Sequence, residues 1–251
     1  RLATAFFACH WIIFRIAVCA VQKDSNVIPR PARSSAPGKV ILFGEHAVVY
    51  GEPAIAVPVT EVEARASVVP AETGSGLTVV AYDLGESFAL DQAPKGEPLA
   101  MAARLTLDFL GVSPPDATLT VRSTIPIASG LGSGAAVSTA LVRALAHFLG
   151  HALEPAEVST LVYEVEKIHH GTPSGIDNTV IAYEQPVYFV RGGPLEPVPL
   201  SVGAPFSLLI GDTGLPSPTK RLVSSVRARR ERDRTECDAI LERIGSITRR
   251  G

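Results

Sequence analysis

The residues of this chain best suited to chemistry fall in three separated runs. The first is Pro126-Ile127-Ala128-Ser129-Gly130-Leu131-Gly132-Ser133-Gly134-Ala135-Ala136, where glycines and serines stand directly ahead of an alanine-rich helical stretch. Glycines let backbone N–H groups turn inward and a helix start adds positive partial charge, so such a run can cradle phosphate oxygens. No Gly-Lys-Ser/Thr follows, so it is not a Walker loop, and its glycine spacing does not fit the dinucleotide fingerprint. The same composition suits a tight helix-start turn with small residues for close packing, and the run alone leaves both readings open. The second run, SAPGKVILFGEHAVVYG, covers Ser35–Gly51 and sets Lys39 at the head of an apolar strand, with Glu45 and His46 on the turn after Gly44. Taken singly, these are an edge lysine and surface turn residues. The third, EKIHHGTPSGIDN, covers Glu166–Asn178. Glu166 ends one helix and Asp177 lies in the first turn of the next. Two carboxylates flanking a Gly/Pro/Ser turn can face one cavity, one holding a metal and the other accepting a proton. Asp177 alone reads equally as a first-turn acid that complements the helix dipole. Neighbouring His169 and His170 do not share a helix face, and no HExxH or CxxC accompanies them, so zinc is not indicated.

The elements that must position these residues are of mixed type. Strands are predicted at Lys39–Phe43, Ala54–Val59, Glu61–Val69, Leu77–Tyr82, Ser87–Leu90 and Ala117–Arg122, from runs rich in Val and Ile or alternating in polarity. Pro98–Leu110 carries apolar residues at helical spacing and stops at Gly111. Helices are further predicted at Ala135–Leu149, Pro155–Ile168 and Ile176–Ala182. Strands follow at Pro186–Val190 and Phe206–Gly211, and an Arg-rich helical period fills residues 218–248. Strands dominate the first half and helices the second, which predicts an α+β fold rather than a regular βαβ array.

Composition narrows the classes. Charged residues are 19% and hydrophobic residues 46%, enough apolar surface for a packed core and too much for a disordered chain. The balance of 23 Lys+Arg against 25 Asp+Glu gives no bulk basic charge to suggest a nucleic-acid partner. Cys9, Cys19 and Cys237 form no CxxC pair and read as reduced thiols of a cytoplasmic protein. Residues 2–21 are almost wholly apolar. A span of this length meets the membrane threshold, but Arg15 sits inside it at a cost of about 2.5–3.5 kcal/mol at a bilayer centre. A membrane anchor, a cleaved targeting segment and residues outside the natural domain all fit, and the last is the preferred reading. The polar, Pro-rich run up to Pro37 reads as linker.

Together the three runs resemble the GHMP kinases. Within that superfamily, APGKVILFGEHAVVYG and HGTPSGIDN are most similar to the mevalonate kinase branch; a galactokinase would show GEHTDY-like residues where this chain has His46-Ala-Val-Val-Tyr-Gly. The resemblance covers roughly residues 35–225. It implies the two-domain GHMP α+β fold, with ATP and substrate meeting between domains: residues 1–34 outside it, 35–200 the N-terminal, ATP-binding domain, and 201–251 the start of a C-terminal domain only partly present. The implied activity is ATP- and Mg²⁺-dependent phosphorylation of mevalonate in the route to isoprenoids. Phosphomevalonate kinase, homoserine kinase and a ligand-binding homologue without turnover are the alternatives, and a homodimer is possible.

Carried onto this sequence, the resemblance makes Asp177 the catalytic base and sets Lys39 beside it to keep it charged. Pro126, Ser129, Gly130, Leu131, Gly132, Ser133, Gly134 and Ala135 would wrap the ATP phosphates. Glu166 would hold Mg²⁺. Glu45, His46, Ser174, Gly175 and Thr219 would shape the substrate site. The family's loop usually reads Gly-Leu-Gly-Ser-Ser-Ala, and its second serine contributes to the metal; here that position is Gly134, leaving Ser133 or a water to supply the oxygen. The family's third, Gly-rich loop does not occur after residue 215. A chain of this extent is therefore expected to be unstable or poorly active by itself.

Overall fold

The computed structural model describes residues 30–170, 173–192, 198–199, 203–211 and 219–250. The apolar run at residues 2–21 lies outside them. No helix among the described residues is long and apolar enough to cross a membrane.

The frame is one seven-stranded sheet: β1 (Ala32–Phe43), β2 (Ala54–Pro70), β3 (Leu77–Ala81), β4 (Glu86–Ala89), β5 (Ala117–Ser123), β6 (Val187–Phe189) and β7 (Val198–Pro199). Its order is β4-β3-β5-β2-β6-β7, with β1 on the other edge of β2. All pairs are antiparallel except β3 with β5. β2 organises the sheet. Residues 64–70 pair with β5, residues 54–56 with β6, and nearly its whole opposite edge with β1. The two strands predicted at Ala54–Val59 and Glu61–Val69 are therefore one, and the register shift against β1 at Pro37/Gly38 is what keeps it continuous.

The linker reading of the run up to Pro37 is corrected at its end. Ala32–Pro37 is strand, paired with Glu63–Val68. Its small and polar residues suit an edge, where one side of the backbone needs no ladder partner and proline is tolerated.

Helices α1 (Pro98–Leu110), α2 (Ser133–Phe148), α3 (Pro155–His170) and α4 (Ile176–Tyr183) supply the layer packed on the sheet. α2 is central. It lies on β1 and β2 with α1 and α3 beside it. Its buried Ala135, Ala136, Ala140 and Ala144 allow close approach, while Leu141, Val142 and Leu145 fill the core at about 1.5–3 kcal/mol per side chain. α1 starts with the Glu97 side chain accepting from the Ala100 N–H and stops at left-handed Gly111, matching its predicted bounds.

The Arg-rich period splits into α5 (Thr219–Arg232) and α6 (Arg234–Thr248). Asp233 breaks it because its carboxylate caps α6, accepting from the Glu236 N–H at 3.0 Å. α6 packs on β1, β2 and the 3-10 turn Ala47–Tyr50. The predicted strand at Phe206–Gly211 is not one: these residues pair with no strand among the described residues, and Leu209 is 97% exposed. Strand propensity alone, without an adjacent open edge, leaves such a run unpaired.

Candidate active site

Sequence-distant segments meet in one cleft of about 760 Å³. Its floor is the ion pair of Lys39 and Asp177, Nζ to Oδ1 3.0 Å, with side-chain exposures of 6% and 31%. Lys39 stands in β1, and its backbone N–H donates to the Leu131 carbonyl at 3.0 Å, so the glycine-rich loop is laced to the edge strand beside the lysine. Asp177 stands in the first turn of α4, started by Gly175. Arg143 of α2 steadies α4 from its other end, donating to the Ala182 carbonyl at 2.7 Å and pairing with Glu184. A lysine this buried needs its counter-charge, and Asp177 provides it while keeping one face to the cleft.

The glycine-rich loop closes over this pair. Gly132 has φ +74, and a Cβ there would meet Ile181 Cδ1 at 2.9 Å and Lys39 Cγ at 3.0 Å, so only glycine lets the loop rest on the lysine stem. The next residues, Ser133, Gly134 and Ala135, form the first turn of α2 and line the cleft. N–H groups at a helix start have no intrahelical acceptors, which leaves them available to an anion bound in the cleft. This geometry favours the phosphate-cradle reading over packing alone. Ser129 and Gly130 also line the cleft; Pro126 and Leu131 do not. Pro126 holds the loop from behind, its carbonyl accepting from the Ser129 hydroxyl at 2.8 Å, and Leu131 is buried as a plug in the core.

Glu166, near the end of α3, is 4% exposed and lines the same cleft. A Cβ on Gly134 would lie 3.3 Å from its Oε1, which sets the carboxylate directly across from the start of α2. Among the described residues no group of three or more His, Cys, Asp and Glu could hold a metal by itself. One carboxylate facing a phosphate cradle nonetheless fits Mg²⁺, which keeps waters and takes one or two carboxylates plus substrate phosphates.

Glu45 and His46 line the cleft on the turn after β1. His46 has φ 62, and the Ala47 N–H donates to the Glu45 carbonyl at 2.8 Å, closing a tight γ-turn of the rare positive-φ kind. Such strain in a non-glycine residue persists only where its surroundings impose it. Arg191 contributes, donating to the Val49 carbonyl at 2.8 Å. Ser174 and Gly175 line the cleft beside Asp177. Thr219 opens α5, but its side chain lies outside those described, as do those of His169 and His170.

Sequence reasoning missed three contributors. Asn178 is buried, its amide donating to the Ser159 carbonyl at 3.1 Å and hydroxyl at 2.8 Å, which ties the start of α4 to α3. It was visible beside Asp177, in the same run. The far arm of the cleft, with Asp83, Leu84, Glu97, Leu99, Arg122 and Ile127, comes from scattered elements with no local signal. On the opposite side α5 contributes Val223, Ser224 and Arg227. Displaced titration is found away from the cleft, as at Asp116, whose carboxyl is held below its ordinary value by the N–H groups of Gly74 and Gly76.

The arrangement can bind a polyphosphate at the α2 start, place a divalent cation at Glu166, and present Asp177 to a hydroxyl. Residues 97–185 match the family described as GHMP kinases N terminal domain. The mevalonate kinase of Thermococcus gammatolerans is 34% identical over 232 residues, covering 85% of this chain and 67% of its own. The crystal structure of Methanococcus jannaschii mevalonate kinase shares the fold, with TM-score 0.69 at 23% identity over 88% of this chain and 72% of that one. That of L. major mevalonate kinase in complex with R-mevalonate superposes with TM-score 0.62 at 26% identity, over 87% and 67%. This chain spans about two thirds of the length of the curated relatives it matches.

Proposed function

We propose that this chain, which belongs to the mevalonate kinase family of the GHMP kinases, carries the phosphoryl-transfer site that moves the γ-phosphoryl group of ATP to the primary hydroxyl of mevalonate. The observation that supports this most is the buried Lys39–Asp177 pair lying directly beneath the glycine-rich start of α2, with Glu166 across from it. Phosphoryl transfer needs positioning and charge stabilisation more than covalent chemistry, and those three features supply them.

In this reading the apolar residues of the far arm, Leu84, Leu99 and Ile127, take the nucleobase, and the N–H groups of Ser133, Gly134 and Ala135 hold the phosphates. Glu166, with the Ser133 hydroxyl or a water, would hold Mg²⁺, which when bound spreads charge over the β- and γ-phosphate oxygens. Asp177 accepts the proton of the substrate hydroxyl through the oxygen not engaged by Lys39. Lys39 fixes the orientation of that carboxylate and adds positive charge where the hydroxyl oxygen becomes negative. Glu45, His46, Ser174 and Gly175 border the acceptor. The nucleotide-binding unit runs from β1, which opens at Ala32 rather than at residue 35, to about residue 200, and α5 and α6 belong to the start of a second.

The test is turnover against a panel of small alcohols with ATP and Mg²⁺. ADP release with mevalonate, and none with homoserine or phosphomevalonate, supports the assignment. Release with one of the others and not with mevalonate would replace it.

A further inference from the structure

We propose that Arg227 is the residue that binds the carboxylate of the acceptor substrate. The inference rests on reading the cleft as a mevalonate kinase site, in which the acceptor is a short hydroxy acid with a hydroxyl at one end and a carboxylate at the other.

The cleft wall holds three described lysine or arginine side chains: Lys39, Arg122 and Arg227. Two are committed. Lys39 is paired with Asp177 at 3.0 Å. The Arg122 guanidinium lies 3.4 Å from the centroid of the Tyr82 ring, on the far arm. Arg227 has no ion pair, hydrogen bond or ring contact among the described residues, although its neighbours Arg229 and Arg230 are both paired. Meanwhile the acceptor end of the cleft carries Glu45, Glu166 and Asp177. An anionic acid entering a wall with that many carboxylates meets repulsion unless a cation is free to receive it.

The position of Arg227 favours the acceptor over the nucleotide. Val223 and Arg227 lie one turn apart on α5, at i and i+4, and with Ser224 they line the cleft. One turn further on, Arg230 lies 4.8 Å from the centroid of the Tyr50 ring and is paired with Asp238 of α6. That contact ties α5 to Tyr50, at the end of the 3-10 turn that follows Glu45 and His46, whereas Arg122 and Asp83 stand on β5 and on the turn between β3 and β4. A guanidinium suits this role because its planar fork meets both oxygens of a carboxylate. With no partner to give up, it also binds without breaking an existing pair.

The test is calorimetric binding of R-mevalonate, of the non-hydrolysable nucleotide AMPPNP with Mg²⁺, and of 3-methylpentane-1,3,5-triol, in which the carboxylate is replaced by an uncharged carbinol. Binding is used so that turnover is not required. Arg227→Ala is expected to weaken mevalonate about 10- to 100-fold, the range for a hydrogen-bonded charge. Arg227→Lys should recover part of the loss, because it keeps the charge and loses the fork. AMPPNP should stay within about twofold, and Arg229→Ala, on the outer face, should change neither ligand. The wild-type chain should prefer mevalonate to the triol, and the Arg227→Ala chain should not. Unchanged mevalonate affinity in Arg227→Ala, loss of AMPPNP affinity instead, or equal loss for the triol would each overturn the proposal while leaving the functional reading in place. A wild-type chain that binds AMPPNP and not mevalonate would overturn both.

Discussion

At Gly132 and at Gly245 a helical segment is held against its neighbour by the absence of a side chain, but the neighbours differ in kind. A Cβ on Gly132 would meet Ile181 Cδ1 at 2.9 Å and the Lys39 stem at 3.0 Å, both in the packed interior, and the backbone there is left-handed. A Cβ on Gly245, inside α6, would run into the Glu52 carboxylate. Glu52 is only partly buried, and its carboxylate accepts from Arg249 at 2.8 Å. The second approach is closer, yet it is the more forgiving. A carboxylate at the end of a flexible stem can swing toward solvent, whereas Ile181 and Lys39 can move only by disturbing the core and the Asp177 pair. The cleft is built on contacts that cannot give, and the α6 docking on contacts that can.

That contrast can be broken by substitution. The largest effect is expected from Lys39→Met, which leaves Asp177 without its partner. Turnover should fall by about 100-fold or more, and stability by about 2 kcal/mol, less than for a fully buried pair because Asp177 remains partly solvated. Coupled ADP release and urea melts measure the two. Gly132→Ala should cost about 1–2 kcal/mol and lower kcat about tenfold, since the added methyl pushes on the lysine stem at a left-handed position. Gly245→Ala should lower the melting midpoint by about 2 °C or less and leave kcat within twofold. A larger stability loss at Gly245 than at Gly132 would contradict the comparison outright.

The smallest effect lies away from both regions, at Asp116, whose carboxylate accepts from the Gly76 N–H at 2.7 Å. Its carboxyl is held below the ordinary value by the Gly74 and Gly76 N–H groups, so its contribution is present above the unfolded value and fades as pH falls through the lowered one. Asp116→Asn should therefore lower the melting midpoint slightly at neutral pH, with the gap to the parent closing as pH falls below about 4.

What could be read from the sequence follows the same division. Residues whose role is set by their immediate neighbours were legible. Ser133–Ala135 at a helix start, Asp177 in a first turn and the limits of α1 all announce themselves through capping and glycine chemistry within a few residues. The cleft partners of Lys39 could be inferred only by resemblance, because β1 and α4 are brought together by the sheet and by α2. Features that depend on a distant partner were misread or missed. Ala32–Pro37 looks like linker until Glu63–Val68 pairs with it. Phe206–Gly211 looks like a strand but pairs with no strand among the described residues. Asp83, Glu97 and Arg122 carry no common pattern, and Arg227 is one arginine in a helix full of them. Only the placement of α5 beside the turn at Tyr50 distinguishes it.

The central claim is that Asp177 takes the proton from the acceptor hydroxyl in a cleft that binds nucleotide independently of it. Asp177→Asn keeps the shape of the side chain and removes the base. Assayed with ATP, Mg²⁺ and mevalonate, and by AMPPNP binding in parallel, the variant should lose about 1,000-fold in kcat with nucleotide affinity within about threefold. Turnover within tenfold of the parent would show that Asp177 is not the base and would contradict this account of the site.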